Sequence, residues 1–148
     1  MSNVSQKDYE SLAEFRYALR KFLRFSEQAA RAAGLSPQQH QALLAIRGFP
    51  SGEKVTVGAL AERLCSKPQS TSELLSRLQR SGYVERDSSD ADGRQVHVTL
   101  TEAGEAVLQR LASTHQQELR RLGPELKSLL ESADAEEQAP AEPRAAVL

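Results

Sequence analysis

Between residues 8 and 33, side chains Tyr9, Leu12, Phe15, Leu19, Phe22, Ser26, Ala29 and Ala33 recur every three or four positions, with Leu23 and Ala30 widening the stripe. That period predicts a long amphipathic helix, closed by Gly34. Ser36-Pro37 opens a second helix, a hydroxyl N-cap followed by a proline whose missing N–H costs nothing in a first turn. Its apolar set is Leu43, Leu44 and Ile46, and it ends near Gly48-Phe49-Pro50. After a polar turn from Ser51 to Lys54, Leu60, Ala61 and Leu64 mark the inner side of a short third helix from Val57 to Leu64. Ser66-Lys67-Pro68 breaks the pattern, and Pro68 falls in the first turn of a fourth helix that Gly82 closes.

The period then drops from about 3.6 to 2. Tyr83-Val84-Glu85-Arg86 reads as a short strand, and Asp92-Gly93 as a tight turn, because glycine accepts positive φ without steric cost. Val96, Val98 and Leu100 alternate with Gln95, His97 and Thr99, so a second strand follows. Thr101-Glu102 starts a last helix with a hydroxyl cap and an acid in the first turn. Two helices joined by a few residues form a helix-turn-helix, and helix, strand, charged hairpin, strand is the layout of a winged helix. The last helix carries Val107, Leu108, Leu111, His115, Leu119 and Leu122 at roughly heptad spacing. Gly123-Pro124 is expected to interrupt it, with Glu125 to Glu131 adding a turn or two. The Ala-, Glu- and Pro-rich residues after Ser132 have no period and are expected to be disordered.

The first and last helices carry longer apolar stripes than the winged core could cover, and solitary helices are unstable in water. Both are therefore expected to pack together and against a second copy, giving a symmetric homodimer. The fold class is mainly α with a small β-wing (α+β). Its parts are a dimerisation helix over 1–34, the winged helix-turn-helix over 35–101, C-terminal dimerisation helices over 102–132 and an acidic tail over 133–148.

Composition adjusts this picture in a few places. The 148 residues carry a formal net charge of −1, which by itself argues against a nucleic-acid partner. The charge is unevenly spread. Glu131, Asp134, Glu136, Glu137 and Glu142 sit in the tail against Arg144 alone, and the remainder holds 18 basic and 15 acidic residues. The stretch from Val55 to Leu100 is neutral, so DNA binding would need locally placed charge and be salt-sensitive. One cysteine forbids an internal disulfide, no apolar run is long enough to span a membrane, and a cytoplasmic location is expected. No phosphate-binding glycine loop, metal cluster or nucleophile with a base marks the chain as an enzyme.

With these elements in order, the chain resembles the MarR family of bacterial transcriptional regulators over about Asp8 to Leu130. The resemblance rests on Leu35-Ser36-Pro37-Gln38-Gln39, on Leu60-Ala61-Glu62-Arg63-Leu64, on Leu78 with Gly82-Tyr83-Val84-Glu85-Arg86, and on Asp92-Gly93-Arg94 with Leu100-Thr101-Glu102-Ala103-Gly104. It implies a homodimer that binds a palindromic operator in double-stranded DNA as a regulator, typically a repressor, released by a small aromatic or anionic effector. The family often carries arginine where this chain has Glu73, and arginine or lysine where it has Gly93. A dimeric winged-helix scaffold that binds protein instead of DNA is the alternative.

The expected DNA-binding residues are Lys67, Gln69, Ser70, Thr71, Ser72, Glu73 and Arg77 on the fourth helix, and Asp92, Gly93 and Arg94 in the wing. Short polar side chains at a helix N-terminus suit a phosphate backbone, and Gln can read adenine. Arg94 suits the negative potential of a minor groove, with Asp92 orienting it. Glu73 either pairs with Arg77 four residues on, the favourable acid-to-base order along a helix, or accepts a hydrogen bond from cytosine; the spacing favours the ion pair. Tyr17, Phe22 and Phe25 are read first as dimer core, and second as lining an effector cleft beside the winged domain. Cys65 is expected to be buried and inert. His40, His97 and His115 lie on separate elements without paired ligand spacing, so no metal or cofactor is expected.

Overall fold

The computed structural model describes residues 3–50, 54–88 and 95–137. Its elements are α1 (Gln6–Ala32), α2 (Pro37–Arg47), β1 (Val55–Thr56), α3 (Val57–Arg63), α4 (Pro68–Arg80), β2 (Val84–Asp87), β3 (His97–Leu100) and α5 (Glu102–Glu137). The helices dominate and the strands form one antiparallel sheet in the order β1-β3-β2, as the expected fold class requires. The register sets Val55 opposite Val98 and Val84 opposite Leu100. β1 has only two residues, too few to leave an alternating signature. The turn over 51–53 and the wing residues Asp92, Gly93 and Arg94 lie outside the described residues, as does the tail from 138.

The chain forms two compact units, residues 25–116 and residues 1–24 with 117–148. In the first, the large fully buried side chains are Leu43 on α2, Leu60 on α3, Leu75 and Leu78 on α4, Val84 on β2 and Val107 on α5. Each contributes about 1.5–3 kcal/mol of apolar transfer energy, against ~1 kcal/mol for a helix cap. Packing therefore sets stability, and the caps set where each element begins. Ser36 makes the reciprocal capping box of α2, its Oγ accepting from the Gln39 N–H (3.1 Å) and its own N–H donating to Gln39 Oε1 (2.9 Å). Within α2 the phase differs from expectation: His40 and Ala42 join Leu43 and Ile46 in the core, while Leu44 is 51% exposed.

The end of α4 meets the start of α5 at a tight junction. Gly82 takes φ +80, and the Tyr83 N–H donates to the Leu78 carbonyl at 3.0 Å. Thr101 caps α5, accepting from the Gly104 N–H at 3.1 Å while its hydroxyl donates to the Gly82 carbonyl at 2.5 Å. Its own N–H donates to the Tyr83 carbonyl at 3.0 Å. Gly104 lies so close to Tyr83 that an added Cβ would overlap that same carbonyl oxygen.

In the second unit Ala18 and Leu122 are buried, and Phe15 is half-buried. The single stripe expected on α1 divides: Tyr9 and Leu12 are both 60% exposed, and Leu19 and Leu23 are also exposed. On α5, Leu119 and Leu130 remain exposed too. The expected interruption at Gly123-Pro124 does not occur, because α5 runs through Pro124 to Glu137. Proline in a helix interior costs about 3 kcal/mol. Here Leu122, Leu126 and Leu129 hold one inward stripe at helical spacing across it, and that stripe offsets the cost. The helix also overrides the disorder expected for residues 133–137. A groove of about 810 Å³ in this unit is lined by Val4, Leu12, Phe15, Leu129 and Leu130, with Asp8 and Ser11 at its polar side.

Candidate nucleic-acid interface

Helices α3 and α4 are joined by a four-residue turn. The Ala59 N–H donates to Thr56 Oγ1 (3.1 Å), which caps α3. At the other end Cys65 takes φ +50, a left-handed conformation that glycine usually fills. The Ser66 N–H can then reach the Ala61 carbonyl at 2.9 Å. Cys65 is exposed, contrary to the buried position expected of it, because its side chain leaves the chain at this reversal.

On α4 the inner face is formed by Thr71, Leu75 and Leu78. Of the residues expected to meet DNA, Lys67, Gln69, Ser70, Glu73 and Arg77 are exposed and Ser72 is half-buried. Thr71 departs from that group. It is 1% exposed, since four and seven residues later the helix presents Leu75 and Leu78 on the same side. Among the described residues its Oγ1 finds no hydrogen-bond partner. A buried unsatisfied hydroxyl costs about 1–3 kcal/mol, so Thr71→Val, of nearly equal volume, is expected to raise stability by about 1 kcal/mol or more in chemical denaturation.

The ion pair expected between Glu73 and Arg77 is absent. Among the described residues neither side chain has a charged partner within 4.0 Å. The i, i+4 spacing permits such a pair, but at an exposed site its gain is only a few tenths of a kcal/mol. That does not offset the entropy of holding two long side chains together.

A positioning group that sequence reasoning missed is Arg86 on β2. Its Nε donates to Gln79 Oε1 (2.8 Å) and its Nη2 to Ser76 Oγ (3.0 Å). Ser76 Oγ in turn donates to the Ser72 carbonyl at 3.0 Å. The strand leading to the wing is thus tied to the flank of α4. The signal was present in the alternation, for Arg86 stands two residues after buried Val84 and so shares its side of β2.

Among the three aromatic candidates, Tyr17 is 57% exposed, with the Lys21 ammonium 4.5 Å above its ring. Phe22 is half-buried, and none of the three lines the groove beside Phe15. Phe25 instead stands edge-on to His115, with ring centroids 5.6 Å apart. His115 Nδ1–H donates to the Leu111 carbonyl at 2.7 Å, and the Ser26 hydroxyl lies 2.8 Å from Nε2. The His40 ring lies 4.9 Å from that of His115, a pairing the 75-residue separation hid. Burial first, and His115 second, hold the His40 pKa below the ordinary imidazole value. Among the described residues no group of three or more His, Cys, Asp or Glu side chains could hold a metal.

A helix-turn-helix with a polar, cation-bearing second helix, followed by an antiparallel sheet, defines a winged helix-turn-helix protein. Residues 33–95 match the sequence model of the MarR family. The chain is 26% identical over 121 residues to YsmB of Bacillus subtilis (strain 168), an uncharacterized HTH-type transcriptional regulator, covering 79% of this chain and 81% of YsmB. Among solved structures it resembles AbsC, a MarR family transcriptional regulator from Streptomyces coelicolor (TM-score 0.72, 19% identity, 91% and 93% of the two chains). It also resembles MepR of Staphylococcus aureus in its DNA complex (TM-score 0.63, 18% identity, 84% and 95%).

Proposed function

We propose that this chain is a sequence-specific DNA-binding transcriptional regulator that acts as a homodimer. The observation that carries the reading is the outer face of α4. Gln69, Ser70, Glu73 and Arg77 are all exposed there, on the second helix of a helix-turn-helix, the element that enters a major groove in such folds. Arg86 holds the sheet against the flank of that helix, which suits a surface that must meet DNA in one geometry. Lys67 beside the start of α4 supplies charge where helix N–H groups already favour phosphate. The similarity to MepR in a DNA complex supports the same assignment.

The exposed apolar stripe of Tyr9, Leu12, Leu19 and Leu23 supports dimerisation through the first and last helices, in line with the expected helices over 1–34 and 102–132. A two-fold dimer calls for a pseudo-palindrome with half-sites about one helical turn apart, ~10 bp. Repression in the cytoplasm, with release by a small aromatic or anionic effector, completes the reading. Asp92, Gly93 and Arg94 remain its proposed wing contacts. No helix among the described residues is long and apolar enough to cross a membrane.

The test starts from a random-sequence duplex pool selected against the full-length protein. A pseudo-palindrome should emerge, and its affinity should fall by about a hundredfold or more between ~50 and ~200 mM salt. Equal affinity for selected and unselected duplexes would refute sequence-specific binding.

A further inference from the structure

We propose that Glu73 is a specificity-determining residue that selects cytosine at one symmetric pair of positions in the bound duplex, an inference that rests on the DNA-binding reading above. Three observations converge on it. The first is position. At 3.6 residues per turn, Glu73 lies roughly half a turn around α4 from the buried face of Thr71, Leu75 and Leu78. It is therefore at the middle of the outer face, with Gln69 and Arg77 one turn to either side. Residues near the N-terminus of a recognition helix are the ones that reach base edges.

The second is the lack of any intrachain charge partner within 4.0 Å among the described residues. Nothing in the described part of the chain neutralises this carboxylate. Beside phosphates it weakens non-specific contacts, and it is left open to a hydrogen-bond donor on the DNA. The third is the fixed bearing of α4. Arg86 bonds to Ser76 and Gln79, and Ser76 to the Ser72 carbonyl one residue before Glu73. The Glu73 Cα on a helix so held keeps one place on the outer face, from which the side chain reaches outward.

A carboxylate only accepts hydrogen bonds. In the major groove guanine presents N7 and O6, both acceptors, and thymine presents O4 and a methyl group. The acceptors repel it, and the methyl group offers it no hydrogen bond. Adenine offers its N6 amino donor, but beside the N7 acceptor. Cytosine offers the N4 amino donor alone, and is the one base edge with nothing to repel a carboxylate.

The experiment uses the full-length protein and the duplex pool already described, followed by affinity measurements on the enriched duplex with each C·G pair replaced in turn. Wild type should enrich C·G at one symmetric pair and lose about fivefold to tenfold on its replacement. Glu73→Ala should flatten that preference to near unity while leaving the other positions unchanged. Glu73→Gln, of the same shape, should move the preference toward A·T, since an amide pairs bidentately with adenine N6 and N7. Thermal melting of both variants checks that the fold is intact, as expected for an exposed side chain. An unchanged base preference in both variants, whatever their affinity, would show that Glu73 only repels phosphate and would overturn the inference. So would a wild-type consensus with no C·G pair at symmetric positions. Failure of wild type to enrich any sequence would instead remove the DNA-binding reading, and this inference with it.

Discussion

Gly104→Ala is expected to cost about 3 kcal/mol or more of folding stability, the upper end of what overpacking does in a rigid core. The new methyl group would occupy the space of the Tyr83 carbonyl oxygen. That oxygen cannot retreat, because it accepts the Thr101 N–H, and the neighbouring Gly82 carbonyl is held by the Thr101 hydroxyl. Moving α5 instead would pull Thr101, its N-cap, away from the Tyr83 and Gly82 carbonyls to which it donates. Gly58→Ala is the matched control. It lies in the first turn of α3 with nothing among the described residues beyond its chain neighbours within 4 Å of an added Cβ, so the helix-propensity gain, up to ~1 kcal/mol, should appear as added stability. Chemical denaturation of both variants reads the contrast; a Gly104→Ala loss below about 1 kcal/mol would show that the α4–α5 junction opens to admit the methyl group.

Acid should destabilise the 25–116 unit through His40. Its folded pKa lies below the unfolded value of about 6.5 because burial and the adjacent His115 disfavour the imidazolium. The native state therefore binds fewer protons than the unfolded chain once the pH drops through that ordinary value. The stability His40 contributes is complete above about pH 6.5. It declines as pH falls toward the depressed folded pKa, by up to about 1.4 kcal/mol per pH unit. Removing the titrating ring, as in His40→Gln, should flatten this part of the stability profile between about pH 7 and 5. A variant profile as steep as that of wild type would assign the acid sensitivity to other groups.

The sequence announces elements wherever one local interaction decides the outcome. Ser36-Pro37 with Gln39 specifies a capping box from four residues, and Gly82 and Thr101 mark their boundaries just as locally. What was hidden depends on partners far along the chain. Whether Leu44 or His40 on α2 faces the core is decided by what packs against the helix, His115 of α5 among it, and the spacing of α2 alone tolerates both. Pro124 reads as a breaker until the leucines on both sides are seen to share one stripe. On α4 the polar run from Lys67 to Ser72 looked uniform, yet the buried side of the helix claims Thr71. The Glu73–Arg77 spacing named a pair that geometry allows and weak surface energetics do not enforce.

The left-handed backbone at Cys65 has a practical corollary. The chain holds one cysteine, and the reversal between α3 and α4 turns it outward. A thiol-reactive fluorophore or spin label would therefore attach at a single point of the native sequence, a few residues from the start of α4. Quenching or immobilisation of such a reporter would register the approach of a duplex to this helix directly, without any engineered substitution in the protein.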